Sequence, residues 1–235
     1  MKLPKTHPYR RHAANARAVL RGLTQAERSH KEAIRSGSKV AIDFAARVHH
    51  MMVGLLAEAL LRKIAADPAG FNDRERVLLA QERGQLDRWK RAVELAVRRH
   101  YAIPIHLDID HCSTEATVAE QFSTLVALLD EDLAEIIEDR NNIAHGQWAW
   151  RLNSKETTFV GPAPVPLNYR AIEVRSKIVR ELEEVINDLV DSEATFVRDF
   201  QRHYSTIQAL KARLDGSDYD ALVRQLKARR AKPTV

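Results

Sequence analysis

Arg140, Asn141 and His145 have the residue types and spacing to act on a phosphodiester. They lie in Ile136-Ile137-Glu138-Asp139-Arg140-Asn141-Asn142-Ile143-Ala144-His145-Gly146-Gln147-Trp148. Arginine is permanently charged and offers phosphate oxygens a planar fork of donors. Histidine titrates near neutral pH and can move a proton. Asn141 and His145 are four residues apart, so a helical turn sets them on one face. Arg140 falls about 140° around from His145 in an unbroken helix. Its side chain must therefore reach around, or the helix must break at the asparagines. Asn141 and Asn142 are poor helix-interior residues and good caps, placed where a strongly periodic run should end or kink. The same string also reads as a plain helix terminus, with Arg140 paired to Glu138 or Asp139 and His145 in a polar pocket.

The elements that would position these groups are helices. Glycine and proline number eight each and cluster, which leaves long runs without breakers. Residues 12–35 form an Ala/Arg-rich helix ended by Ser36-Gly37. Val40, Phe44, Val48, Met51, Met52, Leu55, Leu56, Leu60 and Ile64 recur at three- and four-residue steps, the pattern of a helix with a broad buried face. A second strong helix is expected over 73–101. A third starts near Thr114, capped by Ser113 or Thr114, and carries Val118, Phe122, Leu125, Leu129, Leu133 and Ile137 into the motif. Trp148, Trp150 and Leu152 alternate, Asn153-Ser154-Lys155 can turn, and 157–160 is rich in β-formers, so a short hairpin is expected there. The run 161–166 is expected to be irregular. Asn168 caps a long fourth helix, which can continue to Leu214, and a short helix follows Ser217. This predicts an all-α chain: an antiparallel four- to five-helix bundle with a small β-hairpin inserted after the motif. The expected division is a basic N-terminal helical extension (1–36), the bundle (37–215), and a short C-terminal helix with a basic tail (216–235).

Several further residues are candidates for supporting roles. Glu58 is the one acid in a very apolar stretch of helix, and a carboxylate there needs a partner. Arg62, four residues on, is one choice; the other is Arg140 or Asn141 across the bundle. Trp148 and Trp150 either stack on bases or form hairpin core. Asn142 and Gln147 flank the motif. His49-His50 reads as packing. His106, His111 and Cys112 do not have the spacing of a tetrahedral metal site. Neither a metal nor another cofactor is expected.

Composition bounds the rest. The chain has 235 residues, 45% hydrophobic and 29% charged, which describes a globular protein able to bury a sizeable core. One cysteine, Cys112, excludes an intrachain disulfide and a four-cysteine zinc site, and fits a reducing compartment. The apolar stretch over 51–61 is interrupted by Glu58, and no apolar leader is read at the N-terminus, so a cytoplasmic protein without a membrane segment is expected. Net charge is +5 and uneven: residues 1–36 hold nine Lys/Arg against two Asp/Glu. Arg224, Lys227, Arg229, Arg230 and Lys232 make the other end basic. Such ends are a phosphate-binding footprint or a solvated surface.

Arg140, polar Asn141 and then His145 resemble the R-polar-x3-H motif of HEPN domains, which lies at the end of the third helix of a four-helix bundle. The string Arg-Asn-Asn-Ile-Ala-His-Gly-Gln-Trp is similar to that of many such proteins. In outline the resemblance covers about residues 40–200; it is specific over 140–148. It implies metal-independent RNA cleavage in a homodimer with a composite active site, by attack of the 2′-hydroxyl on the adjacent phosphate. His145 would be the acid/base, Arg140 the phosphate and transition-state binder and Asn141 an orienting or phosphate-contacting group. Toxin and defence effectors of this family imply an antitoxin or regulatory protein as a further partner. The alternative is a non-catalytic HEPN dimer that binds RNA or a partner protein. Some HEPN toxins carry a tyrosine two residues after the histidine, the target of a paired nucleotidyltransferase. Gln147 stands there in this chain, which puts that form of control in doubt.

Overall fold

The computed structural model describes residues 3–4, 6–110, 112, 114–153, 155, 157–163, 165–216 and 218–230. The chain is all-α with one two-stranded antiparallel sheet. In order, the elements are α1 (Pro8–Ser36), α2 (Lys39–Ala65), α3 (Asp73–Gln81), α4 (Gln85–His100), α5 (Ala116–Leu128), a π-helical turn (Leu129–Leu133), α6 (Ala134–Ala144), β1 (Trp150–Leu152), β2 (Phe159–Pro162), α7 (Tyr169–Asp191), α8 (Glu193–Gly216) and α9 (Tyr219–Arg230).

Local sequence explains the boundaries. Pro8 opens α1 behind the ring of His7, which accepts from the Tyr9 amide at 3.2 Å. Gly37 closes it at φ 74°, a conformation open to glycine, and donates to the carbonyls of Ala33 and Ile34. Ser38 then caps α2, so α1 and α2 fold back along each other. Asn72 and Glu75 form a reciprocal capping box on α3. Asn168 caps α7 as expected, accepting from Ala171 at 2.9 Å.

α2 is the central element and packs against α1, α6 and α7. Leu56, Ile64, Val93, Leu129, Ile136 and Ile186 are among the fully enclosed core residues. Ala16 and Leu23 of α1 belong to that same core, so the basic N-terminal helix is packed in the fold along its length. By length and composition α2 could cross a membrane, with a best-window mean hydropathy of 1.3, but 44% of that window is buried inside the fold.

Several expected elements differ. The helix expected over 73–101 is two, because Glu82 is extended and Gly84 starts α4; Arg88 Nε donates to the Glu82 carbonyl at 2.7 Å and holds the corner. The long fourth helix breaks at Ser192, also extended, whose hydroxyl accepts from the Thr195 amide to restart α8. The third helix begins at Ala116 after Glu115; Ser113 lies outside the described residues, as do Ser154 of the expected turn, Ser217 and Lys232. The sheet pairs Trp150 with Pro162 and Arg151 with Gly161, so two residues expected to be irregular are strand. Val40 and Phe44, expected on the buried face of α2, are 80% and 56% exposed, and Val48, Met51, Met52 and Leu55 are only half-buried, because the buried face centres on Ala46, His49, Val53, Leu56, Leu60 and Ile64, around the helix from that row.

The π-turn has a readable cause. Leu125, Leu129, Leu133 and Ile137 are all buried and spaced by four. In an α-helix each such step drifts about 40°. The wider turn takes up the drift and keeps the row facing the core, about two turns before the motif.

Candidate functional site

Arg140 is seated on α2. A β-carbon added at Gly54 would overlap the Arg140 Cβ and lie 2.7 Å from its Cγ, so only glycine lets the helices approach this closely here. From that seat the half-buried guanidinium meets two partners. Its Nη2 pairs with Glu58 Oε2, and its Nη1 donates to Asn141 Oδ1 at 2.7 Å. Glu58 thus answers both choices left by the sequence, because its other oxygen pairs with Arg62 Nη2 at 2.5 Å. One carboxylate stands between two guanidinium groups and fixes the plane of one of them. The Arg140 Nε is buried without a partner, and each terminal nitrogen keeps a hydrogen for a further acceptor.

These groups line a half-open cavity of about 560 Å³ bounded by the start of α1, by α2, by α3, the α3–α4 corner and the start of α4, and by α6. Arg62, Arg76, Arg83, Arg88 and Arg140 line it, with Glu58 as the one carboxylate. Counting the histidines as neutral, the lining is formally +4. His12 is also there; burial, and then the charge of Arg62, push its pKa below the ordinary value. Sequence reasoning found Arg62, Arg140 and Asn141 but missed Arg76, Arg83 and Arg88. They come from three separate elements, and their only sequence signal is the density of arginine over 74–91.

His145 is placed elsewhere. It is the C-cap of α6, exposed, with its backbone N–H donating to the Asn141 carbonyl at 2.9 Å. The helix does not break at the asparagines but runs on to Ala144. His145 is absent from the cavity lining and has no side-chain hydrogen bond to a described residue. Within one chain, then, Arg140, Asn141 and Glu58 are brought together, and His145 projects from the end of the same helix.

The remaining candidates have local roles. Gln147 Oε1 accepts from the Leu152 amide at 2.8 Å and ties the hairpin to the motif. Trp148 donates from Nε1 to the Ile143 carbonyl at 2.9 Å, and Arg47 lies 5.5 Å over its ring. Neither Trp148 nor Trp150 is hairpin core: they are 39% and 58% exposed, because a two-stranded sheet with one short turn has no second layer to cover them. Asn142 faces His50 and Asp139 in a small cavity, its Nδ2 unpartnered. Arg175 of α7 pairs with Asp139 at 3.5 Å and Glu135 at 2.6 Å, bracing the back of α6. Burial pushes the Asp139 pKa up, against the pull of Arg175.

Two other clusters involve histidine. His30 and His49 are fully buried, their Nδ1 atoms 3.3 Å apart and both rings against Tyr169. Burial lowers their pKa values to about 4 and about 3, and His50 to about 4, so all three are neutral in the fold. Glu181, Glu184 and His203 bring ligand-type atoms within 4.8 Å of one another. His203 there lies 2.7 Å from Glu181 and 3.1 Å from Asp188, with Arg202 beside it, a polar cluster joining α8 to α7. Cys112 is exposed, and His111 lies outside the described residues.

No protein-family profile, curated protein or solved structure matches the chain.

Proposed function

We propose that this chain is a metal-independent endoribonuclease of the HEPN kind, acting as a homodimer whose helices form the antiparallel bundle of that family. The observation that carries the reading is the brace on Arg140. Glu58 and Asn141 fix its guanidinium beside a cationic cavity, while His145 is held free at the end of the same helix. A structural salt bridge does not require that surplus of positive charge.

In this reading a ribose 2′-oxygen bonds to the adjacent phosphorus, and the bond from phosphorus to the 5′-oxygen breaks. His145 takes the proton from the 2′-hydroxyl, and the partner subunit's His145 gives one to the leaving 5′-oxygen. Arg140, with the free N–H groups left by Glu58 and Asn141, stabilises the charge that develops on the phosphorane. One chain supplies one such histidine, so a two-fold pairing completes the chemistry. Exposed Trp150, Phe159 and Val165, at 58%, 67% and 85%, offer an apolar surface beside the motif for that pairing. Arg10, Arg17, Arg21 and Arg28 are exposed and fall within about 40° of one another around α1, a basic rail suited to a strand of RNA. A toxin or defence role, with a regulatory protein as partner, goes with this reading.

A second reading is favoured by one observation, that no described residue hydrogen-bonds the His145 side chain: a dimer that binds RNA or a partner protein without cutting. The wild-type protein, incubated in EDTA with labelled structured RNA, separates the two. The ribonuclease reading predicts products with cyclic phosphate and 5′-hydroxyl ends. Products with 3′-hydroxyl ends, or cutting that stops in EDTA, overturn it, and the absence of cutting across several RNAs favours the binding dimer.

A further inference from the structure

The cavity holds more positive charge than the motif uses. Arg62 and Arg140 share Glu58, and Arg76 is held by the Ala65 and Asp67 carbonyls and by Asp73. Arg83 has no hydrogen bond or ion pair to any described residue, and Arg88 is bonded through Nε alone, leaving both terminal nitrogens open. The Gln85 Nε2 is buried without a partner, on the cavity lining. Gly84 gives α4 no side-chain cap, and the carboxylate of Asp87 in the first turn already lies beside Gly84 at that helix start. The unpaired guanidinium groups of Arg83 and Arg88 therefore line one half-open cavity that holds a single carboxylate, and both lack an anionic acceptor.

We infer that this cavity is a regulatory site for a small multivalent oxyanion, of which pyrophosphate is the simplest form, and that its occupation competes with Glu58 for Arg140. The volume of about 560 Å³ admits a small molecule and no duplex. The apolar floor of Leu61, Ala65 and Leu79 accepts a short non-polar body attached to the anion. Glu58 and Arg140 are both lining residues, so an oxyanion within reach of Arg83 and Arg88 is also within the field of the pair that orients Arg140. Bound there, it attracts the guanidinium and repels the carboxylate, loosening the brace. The link to cleavage rests on the proposed ribonuclease; the binding does not.

The test is calorimetric titration with pyrophosphate at constant ionic strength, on wild type, Arg83→Ala and Arg83→Glu. Arg83 is exposed and unpaired, so both variants are expected to fold, which thermal melting checks. Wild type is expected to bind, Arg83→Ala to bind about tenfold more weakly, and Arg83→Glu more weakly still. His145→Ala is expected to bind as wild type does. No binding by wild type, or equal binding by Arg83→Glu, overturns the site. A second arm titrates an uncleavable 2′-O-methyl RNA. If that strand depends on Arg83 and pyrophosphate does not bind, the cavity is part of the RNA path and the regulatory site is overturned. In the third arm pyrophosphate slows RNA cleavage by wild type and leaves Arg83→Glu unaffected; equal slowing of both overturns the coupling. If no RNA is cut at all, the ribonuclease reading fails and the binding arm still decides the site.

Discussion

At the scale of single residues, one carboxylate decides what Arg140 can do. Glu58 divides its two oxygens between Arg62 and Arg140. Glu58→Gln keeps the shape and removes the charge. It should lower stability by about 1–3 kcal/mol, since a half-buried guanidinium loses its ionic acceptor, and cut cleavage by roughly 10²-fold through misplacement of Arg140. Thermal melting and single-turnover cleavage read the two effects separately. Stability and rate both unchanged would mean that Asn141 alone holds Arg140. This part of the site was legible, because an acid in Leu55-Leu56-Ala57-Glu58-Ala59-Leu60-Leu61 demands a partner. The division between two arginines was not, since it depends on how α6 crosses α2. Nor was the exposure of Trp148 and Trp150, because alternation in a strand says which residues share a face but not whether anything covers that face.

At the scale of elements, the site depends on the approach of α6 to α2 at Gly54 and on the π-turn that aims α6. Gly54→Ala forces the Arg140 stem away from α2. The expected loss is about 1–3 kcal/mol, the range for overpacking a tight contact, together with loss of cleavage. Gly37→Ala is the control: it strains a left-handed cap far from the motif and should lower the melting temperature while sparing cleavage in the folded fraction. If Gly54→Ala melts and cleaves as wild type does, the close approach is not what seats Arg140. Helix identity was legible from apolar periodicity over 40–64 and 118–137. The breaks at Glu82 and Ser192 were not, since neither residue type forbids helix and both corners are set by hydrogen bonds formed only once the neighbouring helices have folded.

At the scale of the molecule, α1, α2 and α7 meet around buried neutral histidines, and that gives stability a pH dependence of definite sign. His30 and His50 are held at about 4 and His49 at about 3, against an ordinary 6.5. Below pH 6.5 the unfolded chain takes up protons that the folded chain refuses. Stability is therefore full above pH 6.5 and falls as the pH drops from 6.5 to about 4, with His49 extending the loss towards 3. A depression of 2.5 pH units is worth roughly 3 kcal/mol for one group; His30 and His49 interact, so the total is less than additive. Denaturant melts at pH 7 and pH 5 should show the drop, and His49→Gln should flatten it. The 3.7 Å approach of His50 to Asp139 is then a contact with a neutral ring and not an ion pair. The all-α class and the basic ends were legible from composition and pattern, whereas the arginine cavity was not, because its lining is assembled from five separate helices. The measurement that tests the central claim most directly sets RNA binding beside RNA cleavage for His145→Ala in EDTA. The account predicts that cleavage is abolished while binding stays within about twofold of wild type, because His145 is exposed and braces nothing. Cleavage retained by His145→Ala would contradict it.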